Sequence, residues 1–189
     1  MQRFAYVLNH VYIWGIMFVL LGAFWMQFYA KEFPCPLCLL QRMCMILAAI
    51  GPAYVLMQMR EEDDREERLI DVGMGFGMSI LAALAGMAVS TRQVLLHIAP
   101  GDPGYGSAVM GLHLYTWALI VFAVVIFVSG LTLVFQRSLT VTEPHDHWFT
   151  RLTLTFLTLV ILANAFSSLA IAGWNLYLPD NPTSYLLFS

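Results

Sequence analysis

The amino-acid sequence predicts an all-α integral membrane protein that forms a single domain over residues 1–189. Of these residues, 60% are hydrophobic and 11% are charged, whereas about 25% of a soluble domain is charged. The apolar residues fall in five runs long enough to cross a bilayer, which takes about 20 residues. These predicted spans are 11–30, 39–59, 69–90, 114–135 and 148–174. Membrane lipid is the expected surrounding, and the sequence shows no basic stripe typical of nucleic-acid binding.

The first span is predicted to be a retained helix rather than a cleaved signal peptide. A signal peptide has an apolar stretch of about 7–15 residues followed by a small-residue cleavage site. The first span is longer, Arg3 is the only fixed positive charge before it, and no A-x-A site follows it.

Basic residues predict the orientation, because short cytoplasmic loops carry an excess of Lys and Arg. With five spans, one side of the membrane holds Arg3, Arg60, Arg65, Arg68, Arg137 and Arg151, and the other holds Lys31, Arg42 and Arg92. The N-terminus is therefore expected in the cytoplasm. The C-terminus and the loop after the first span are expected outside, which in a bacterium is the periplasm, where disulfides persist.

The loop after the first span is short and rich in proline. Pro34 and Pro36 are predicted to hold it extended, so that Cys38 is expected to begin the second helix. Pro52, inside that helix, predicts a kink or a local break.

The remaining segments of the chain give weaker structural predictions. The charged segment 60–68 predicts a solvated turn, and the spacing of Gly73 and Gly77 in the third span predicts close helix packing. Segment 92–98 has an amphipathic pattern that is typical of an interfacial helix. The tail 175–189 ends in apolar residues that can pack either on the bundle or on lipid.

Cys35 and Cys38 form a C-x-x-C pair, which is compatible with a redox dithiol, half of a zinc site or chance. A zinc site needs four protein ligands, or three and a water, and Cys44, the third thiol of the chain, lies within an apolar helix. Attachment of c-type haem requires C-x-x-C-H, and here Leu39 follows the pair. The sequence therefore favours a redox dithiol and predicts no metal.

Arg42 follows Cys38 by one helical turn and is expected on the same face of the helix. A guanidinium near the pair would favour the reactive thiolate. A charge inside a membrane span is commonly functional, but a shallow one can also extend to the membrane surface. The residues alone leave both interpretations of Arg42 open.

Residues 35–42, Cys-Pro-Leu-Cys-Leu-Leu-Gln-Arg, resemble the CxLCxxxR signature of the DsbB-type disulfide bond formation proteins. The position is also similar, at the outer end of the second span, and Arg92-Gln93-Val94 resembles the family after the third. The likeness covers about the first 135 residues. It implies a four-helix transmembrane bundle of DsbB type, here with an additional C-terminal transmembrane helix.

The resemblance implies an inner-membrane enzyme that reoxidises a periplasmic thioredoxin-fold oxidase (DsbA-type) and passes electrons to a quinone, ubiquinone or menaquinone. Cys35 would then take part in thiol–disulfide exchange, Cys38 would contact the quinone, and Arg42 would support its reduction. Arg92 and His97 are further candidates for the quinone pocket. Their residue types also suit plainer roles, since Arg92 can anchor at lipid headgroups and His97 can form hydrogen bonds at the interface.

Two features depart from the family pattern. The second outer loop contains no cysteine, whereas well-studied members carry a second pair there, and the fifth span is additional. Two alternatives therefore stay open beside the quinone oxidoreductase. One is a reductase that carries electrons outward from the cytoplasm. The other is a membrane scaffold or assembly subunit with a structural or vestigial CxxC.

Overall fold

A computed structural model describes residues 2–58, 65–139, 147–174, 178 and 180–188. This part of the chain is helical and contains no strand. Its helices are α1 (Gln2–Phe28), α2 (Pro36–Gln58), α3 (Arg65–Leu96), α4 (Leu114–Val134), α5 (Gln136–Leu139) and α6 (His147–Ala172). Five of them, all except the short α5, are long and apolar enough to cross a membrane. The predicted fold class is thus confirmed, and the protein is a multi-pass membrane protein.

The helix ends differ from the predicted spans. Helix α1 begins at Gln2, well before the apolar run, and α2 begins at Pro36, so the prediction of an extended Pro36 was wrong. Proline suits the first position of a helix, where no intrahelical N–H bond is required. Helix α3 continues to Leu96, so most of segment 92–98 is the end of this helix and not a separate interfacial one.

Several predicted features fall at the margins of the described residues. The charged turn at 60–68 lies mostly outside them, and α3 already begins at Arg65. Helix α5, which directly follows α4, was not predicted.

The tail returns to the bundle: Leu187 N donates to Ala170 O at 3.1 Å, and Leu186 N donates to Ile171 O at 3.4 Å. These bonds satisfy carbonyl groups that the end of α6 leaves without helical partners.

Helices α2 and α3 approach each other closely at Gly51 and Gly75. A Cβ atom on Gly75 would lie 2.5 Å from Val55 Cγ2 and 2.6 Å from Gly51 O. The packing prediction for Gly73 and Gly77 was wrong, because no described atom of a neighbouring element lies within 4 Å of a Cβ at either position. The glycines that permit the contact are therefore Gly51 of α2 and Gly75 on the buried face of α3.

Pro52 does not end α2, which runs through it to Gln58. Proline has no N–H, so the carbonyl four residues earlier, Ala48 O, loses its helical donor. Ser79 of α3 replaces this donor: its Oγ donates to Ala48 O at 2.7 Å, and the serine is fully buried. A neighbouring helix thus satisfies the carbonyl that the proline frees, as membrane interiors require.

This arrangement predicts that Ser79→Ala destabilises the protein because Ala48 O loses its substitute donor. We expect a loss of about 1–3 kcal/mol in unfolding free energy, measured by thermal unfolding in detergent. In a Pro52→Ala background, the backbone N–H at position 52 can serve Ala48 O again, so the same change should cost less. Equal costs in both backgrounds would contradict this account.

Candidate redox site

Cys35 and Cys38 lie where α2 begins. The carbonyl of Cys35 accepts a hydrogen bond from Leu39 N at 3.1 Å, and its sulfur accepts one from Cys38 N at 3.2 Å. The Cys35 side chain thus caps the helix in the manner of an N-cap residue. The two sulfur atoms are 2.7 Å apart, so the pair can form a disulfide with little backbone movement. The start of a helix favours negative charge, and hence a thiolate at this pair.

Gln93 reaches the cysteine pair from the end of α3. Its Nε2 lies 3.3 Å from Cys35 Sγ and 3.6 Å from Cys38 Sγ, and the side chain is 1% exposed. Gln41 Nε2 donates to Gln93 Oε1 at 2.9 Å, which keeps the N–H groups of Gln93 directed at the sulfur atoms. An N–H that points at a thiolate stabilises its charge. The sequence-based prediction named the neighbouring Arg92 and missed this contact.

Arg42 is buried against α1. Its Nη1 donates to Gln27 Oε1 at 2.7 Å and its Nη2 donates to Ala23 O at 3.0 Å. The guanidinium also lies over the ring of Phe24, 5.4 Å from its centroid. Arg42 is 8% exposed, so its guanidinium lies inside the bundle, which favours a functional role over an extension to the membrane surface.

A cavity of about 320 Å³ lies beside Cys38 and Arg42. Its walls come from α1, from the start of α2, from the start of α4 and from the two loops next to them. Most of the lining is apolar. The polar or amphipathic side chains in the wall are Trp25, Glu32, Cys38, Gln41, Arg42, Tyr105, Tyr115 and Trp117. The cavity therefore combines a largely apolar lining with the Arg42 guanidinium, the Glu32 carboxylate and the Cys38 sulfur.

The end of the bundle that carries residues 29–35, 97–113 and 180–188 is here called the cysteine end. Its two loops are joined to each other: Tyr105 Oη donates to Phe33 O at 2.7 Å, and Ser107 N donates to Glu32 Oε1 at 3.0 Å. Burial raises the pKa of the Tyr105 phenol, with the nearby cysteine pair as a further cause. Tyr105 thus remains a neutral hydrogen-bond donor at the wall of the cavity.

Two of the predicted cofactor-binding residues are placed elsewhere. In the described structure, neither Arg92 nor His97 belongs to the wall of the cavity. Arg92 is exposed on α3, in an open groove with Leu95 and Leu96. His97 stacks on Tyr115 with ring centroids 5.6 Å apart, and its Nδ1 lies 3.1 Å from Asp102 Oδ1. The structure therefore brings Cys35, Cys38 and Arg42 together and leaves these two residues outside.

Cys44 lies apart from the pair, half-buried against the hydrophobic core. Among the residues that the structure describes, no three His, Cys, Asp or Glu side chains are grouped so as to hold a metal ion. That this protein binds no metal stays a prediction.

A model of the family described as "Disulfide bond formation protein DsbB" matches residues 3–105. A curated relative, "Disulfide bond formation protein B 2" of Burkholderia lata, is 34% identical over 80 residues. That match covers 42% of this chain and 42% of the relative. No solved structure matches the chain significantly. The family match contains the cysteine pair, Arg42 and Gln93, and it ends before α4.

The pKa of the Cys35 thiol is raised, first by its hydrogen bond with Cys38 and then by burial. In the reduced protein we therefore expect Cys35 to keep its proton at neutral pH and to react slowly with iodoacetamide. Cys38→Ala removes the first of these causes and should lower the pKa of Cys35 towards the ordinary value of about 8.5.

The measurement is the initial labelling rate of the Cys35 peptide against pH, followed by mass spectrometry. The midpoint should lie at lower pH in Cys38→Ala than in the unaltered protein, and Cys44→Ala should leave it unchanged. The same midpoint in all three proteins would refute the hydrogen bond as the cause.

Proposed function

Because this chain belongs to the DsbB family of disulfide bond formation proteins, we propose that it is a bacterial inner-membrane thiol–quinone oxidoreductase. It reoxidises a periplasmic thioredoxin-fold oxidase of DsbA type and delivers two electrons to ubiquinone or menaquinone. The observation that carries the proposal is that Cys38 and Arg42 share the wall of one largely apolar cavity. The cysteine end then faces the periplasm and the N-terminus the cytoplasm, in keeping with the distribution of Lys and Arg.

The cavity fits a quinone headgroup in its chemistry. A quinone is an apolar ring with two carbonyl oxygens, and when bound it supplies an acceptor for two electrons and two protons. The apolar lining suits the ring, and the guanidinium of Arg42 suits an oxygen that gains negative charge. Arg42 is held by Gln27 and Ala23 of α1, so it is preorganised for that charge and needs no rearrangement.

The first half of the proposed reaction is thiol–disulfide exchange at Cys35. A thiolate of the reduced donor attacks Cys35 Sγ in the oxidised pair, and Cys38 leaves as a thiolate. The second thiolate of the donor then attacks the donor's sulfur in the mixed disulfide, and Cys35 leaves as a thiolate. The donor is now oxidised, and this chain holds two electrons as a dithiol.

Closing the cycle requires the dithiol to lose two electrons and two protons. The Cys38 thiolate, supported by the N–H groups of Gln93, faces the cavity wall, and Cys35 Sγ lies 2.7 Å away to re-form the disulfide. Arg42 orients and stabilises the oxygen that gains charge in this step. The net reaction converts a donor dithiol and a quinone into a donor disulfide and a quinol.

The donor must reach Cys35 without a relay, because the second outer loop has no cysteine. Cys35 is 6% exposed. The hydrogen bond from Tyr105 Oη to Phe33 O holds the second outer loop beside the loop that carries Cys35. We therefore expect the loop contact to open when a donor docks. Direct attack on Cys35 is the simplest electron route for a chain with one dithiol.

Turnover tests the proposal directly. Purified protein in detergent should reduce a soluble quinone when it is given a reduced thioredoxin-fold donor, and Cys38→Ala should abolish this because the disulfide cannot re-form. Cys44→Ala is the matched control and should keep full activity, since this thiol packs against the core. Absence of quinone reduction above the Cys38→Ala rate would refute the enzyme and favour the scaffold alternative.

Arg42→Met should raise the KM for quinone by about 10- to 100-fold, which corresponds to losing a hydrogen bond from a charged group. Steady-state kinetics over a range of quinone concentrations measures this. Arg151→Met, an exposed arginine on α6, controls for the loss of a positive charge. Arg92→Met, measured beside it, tests the sequence-based prediction for Arg92. An unchanged KM together with an unchanged kcat in Arg42→Met would remove Arg42 from the proposed site.

A further inference from the structure

Helix α6 lies outside the region that matches the family, yet it contacts the side chain that holds Arg42. Gln27 of α1 lies between the two. Its Oε1 accepts from Arg42 Nη1 at 2.7 Å, and its Nε2 donates to Ser167 Oγ of α6 at 2.8 Å. Gln27 and Ser167 are both 3% exposed. A buried chain of hydrogen bonds therefore leads from α6 through α1 to the guanidinium of α2.

The orientation of the Gln27 amide decides whether this chain holds Arg42. An amide has a carbonyl oxygen at one end and an NH₂ group at the other, whereas a guanidinium has donors only. Arg42 is therefore held when Oε1 faces it and is repelled when the NH₂ group does. With Oε1 facing Arg42, the NH₂ group points away from the guanidinium and requires acceptors on its own side.

Ser167 and the returning tail provide those acceptors. Ser167 Oγ accepts from Nε2 and lies 3.1 Å from Oε1, so the hydroxyl can also donate to the oxygen. Tyr185 Oη lies 3.4 Å from Nε2. The ring of Tyr185 packs edge-on against Phe33, 4.9 Å between centroids, which keeps the phenol at this place. A hydroxyl can also donate to an amide oxygen, so the guanidinium, which has donors only, selects this orientation. The two hydroxyls then hold the NH₂ end of the amide in place, and with it the oxygen that Arg42 binds.

We propose that Ser167 is a positioning residue for quinone reduction, acting on Arg42 by fixing the amide of Gln27. The inference rests on the proposed function, because it concerns how the quinone step is supported. It gives α6 and the tail a role in the redox site although neither contributes a side chain to the described wall of the cavity. Tyr185, whose Oη lies 3.4 Å from Gln27 Nε2, also helps to fix this amide.

The test compares Ser167→Ala with Ser167→Thr and Ser168→Ala. Ser167→Ala removes the hydroxyl and should raise the KM for a soluble quinone by about tenfold, in line with the loss of a buried hydrogen bond next to a charge. Ser167→Thr keeps a hydroxyl and should restore most of the affinity. Ser168→Ala changes the neighbouring, half-buried serine of the same helix and should behave like the unaltered protein.

Two further measurements separate positioning from general damage. The rate at which the oxidised protein accepts electrons from the dithiol donor, measured without quinone, should be unchanged in Ser167→Ala. In an Arg42→Met background, Ser167→Ala should have no additional effect on the quinone KM, because it acts through Arg42. A donor rate that falls together with the quinone step indicates loss of the fold and overturns the proposal.

The outcomes also distinguish this inference from the function it rests on. If the unaltered protein reduces no quinone, the proposed function fails. If the unaltered protein is active and Ser167→Ala has the quinone KM of Ser168→Ala, the function stands and the positioning role is refuted. An additive effect of Ser167→Ala and Arg42→Met refutes it as well, since Ser167 would then act by another route.

Discussion

The burial of one guanidinium constrains the cysteine end of this protein more than any other interaction. Arginine keeps its charge inside a protein, and a buried charge is tolerated only when its donors are matched. Helix α1 matches them with Gln27 Oε1 and Ala23 O and places the face of Phe24 against the cation. Since Arg42 belongs to α2, these contacts fix where the first two helices stand beside the cavity. The apolar cavity, the cysteine pair and the tail are all arranged around that fixed charge.

The course of the helices could be predicted from hydropathy, because a bilayer imposes a minimum length of apolar chain. Their ends could not, because capping and tertiary contacts set them. Helix α2 begins at Pro36 since the sulfur and the carbonyl of Cys35 take the free donors of its first turn. Helix α3 extends to Leu96 because its last turns pack beside the cysteine pair through Gln93. Neither reason is visible as a pattern of apolar residues.

The candidate site was predicted only where its residues lie close together in the sequence. The spacing of Cys35, Cys38 and Arg42 is local, so one helix brings them together. The charge of Arg92 in an apolar helix predicted Arg92 rather than its buried neighbour Gln93. A different signal identifies Gln93: small and polar residues recur every three or four positions on α3, at Ser79, Ala83, Gly86, Ser90 and Gln93, and all of them are buried. Gln27 and Ser167 could not be predicted, since their pairing joins residues 140 positions apart.

The bond from Ser79 to Ala48 has a consequence for how the protein responds to its membrane. Helix α3 has 32 residues and α2 has 23, so a change in bilayer thickness acts on two helices of unequal length. Two such helices could respond by sliding along each other. The hydrogen bond from Ser79 to Ala48 and the contact between Gly51 and Gly75, both in the middle of the pair, oppose this sliding. We therefore expect the two helices to tilt as one body. The distance from Gln93 to the cysteine sulfurs is then expected to change little with hydrophobic mismatch, so the geometry of the cysteine pair should be retained in membranes of different lipid composition.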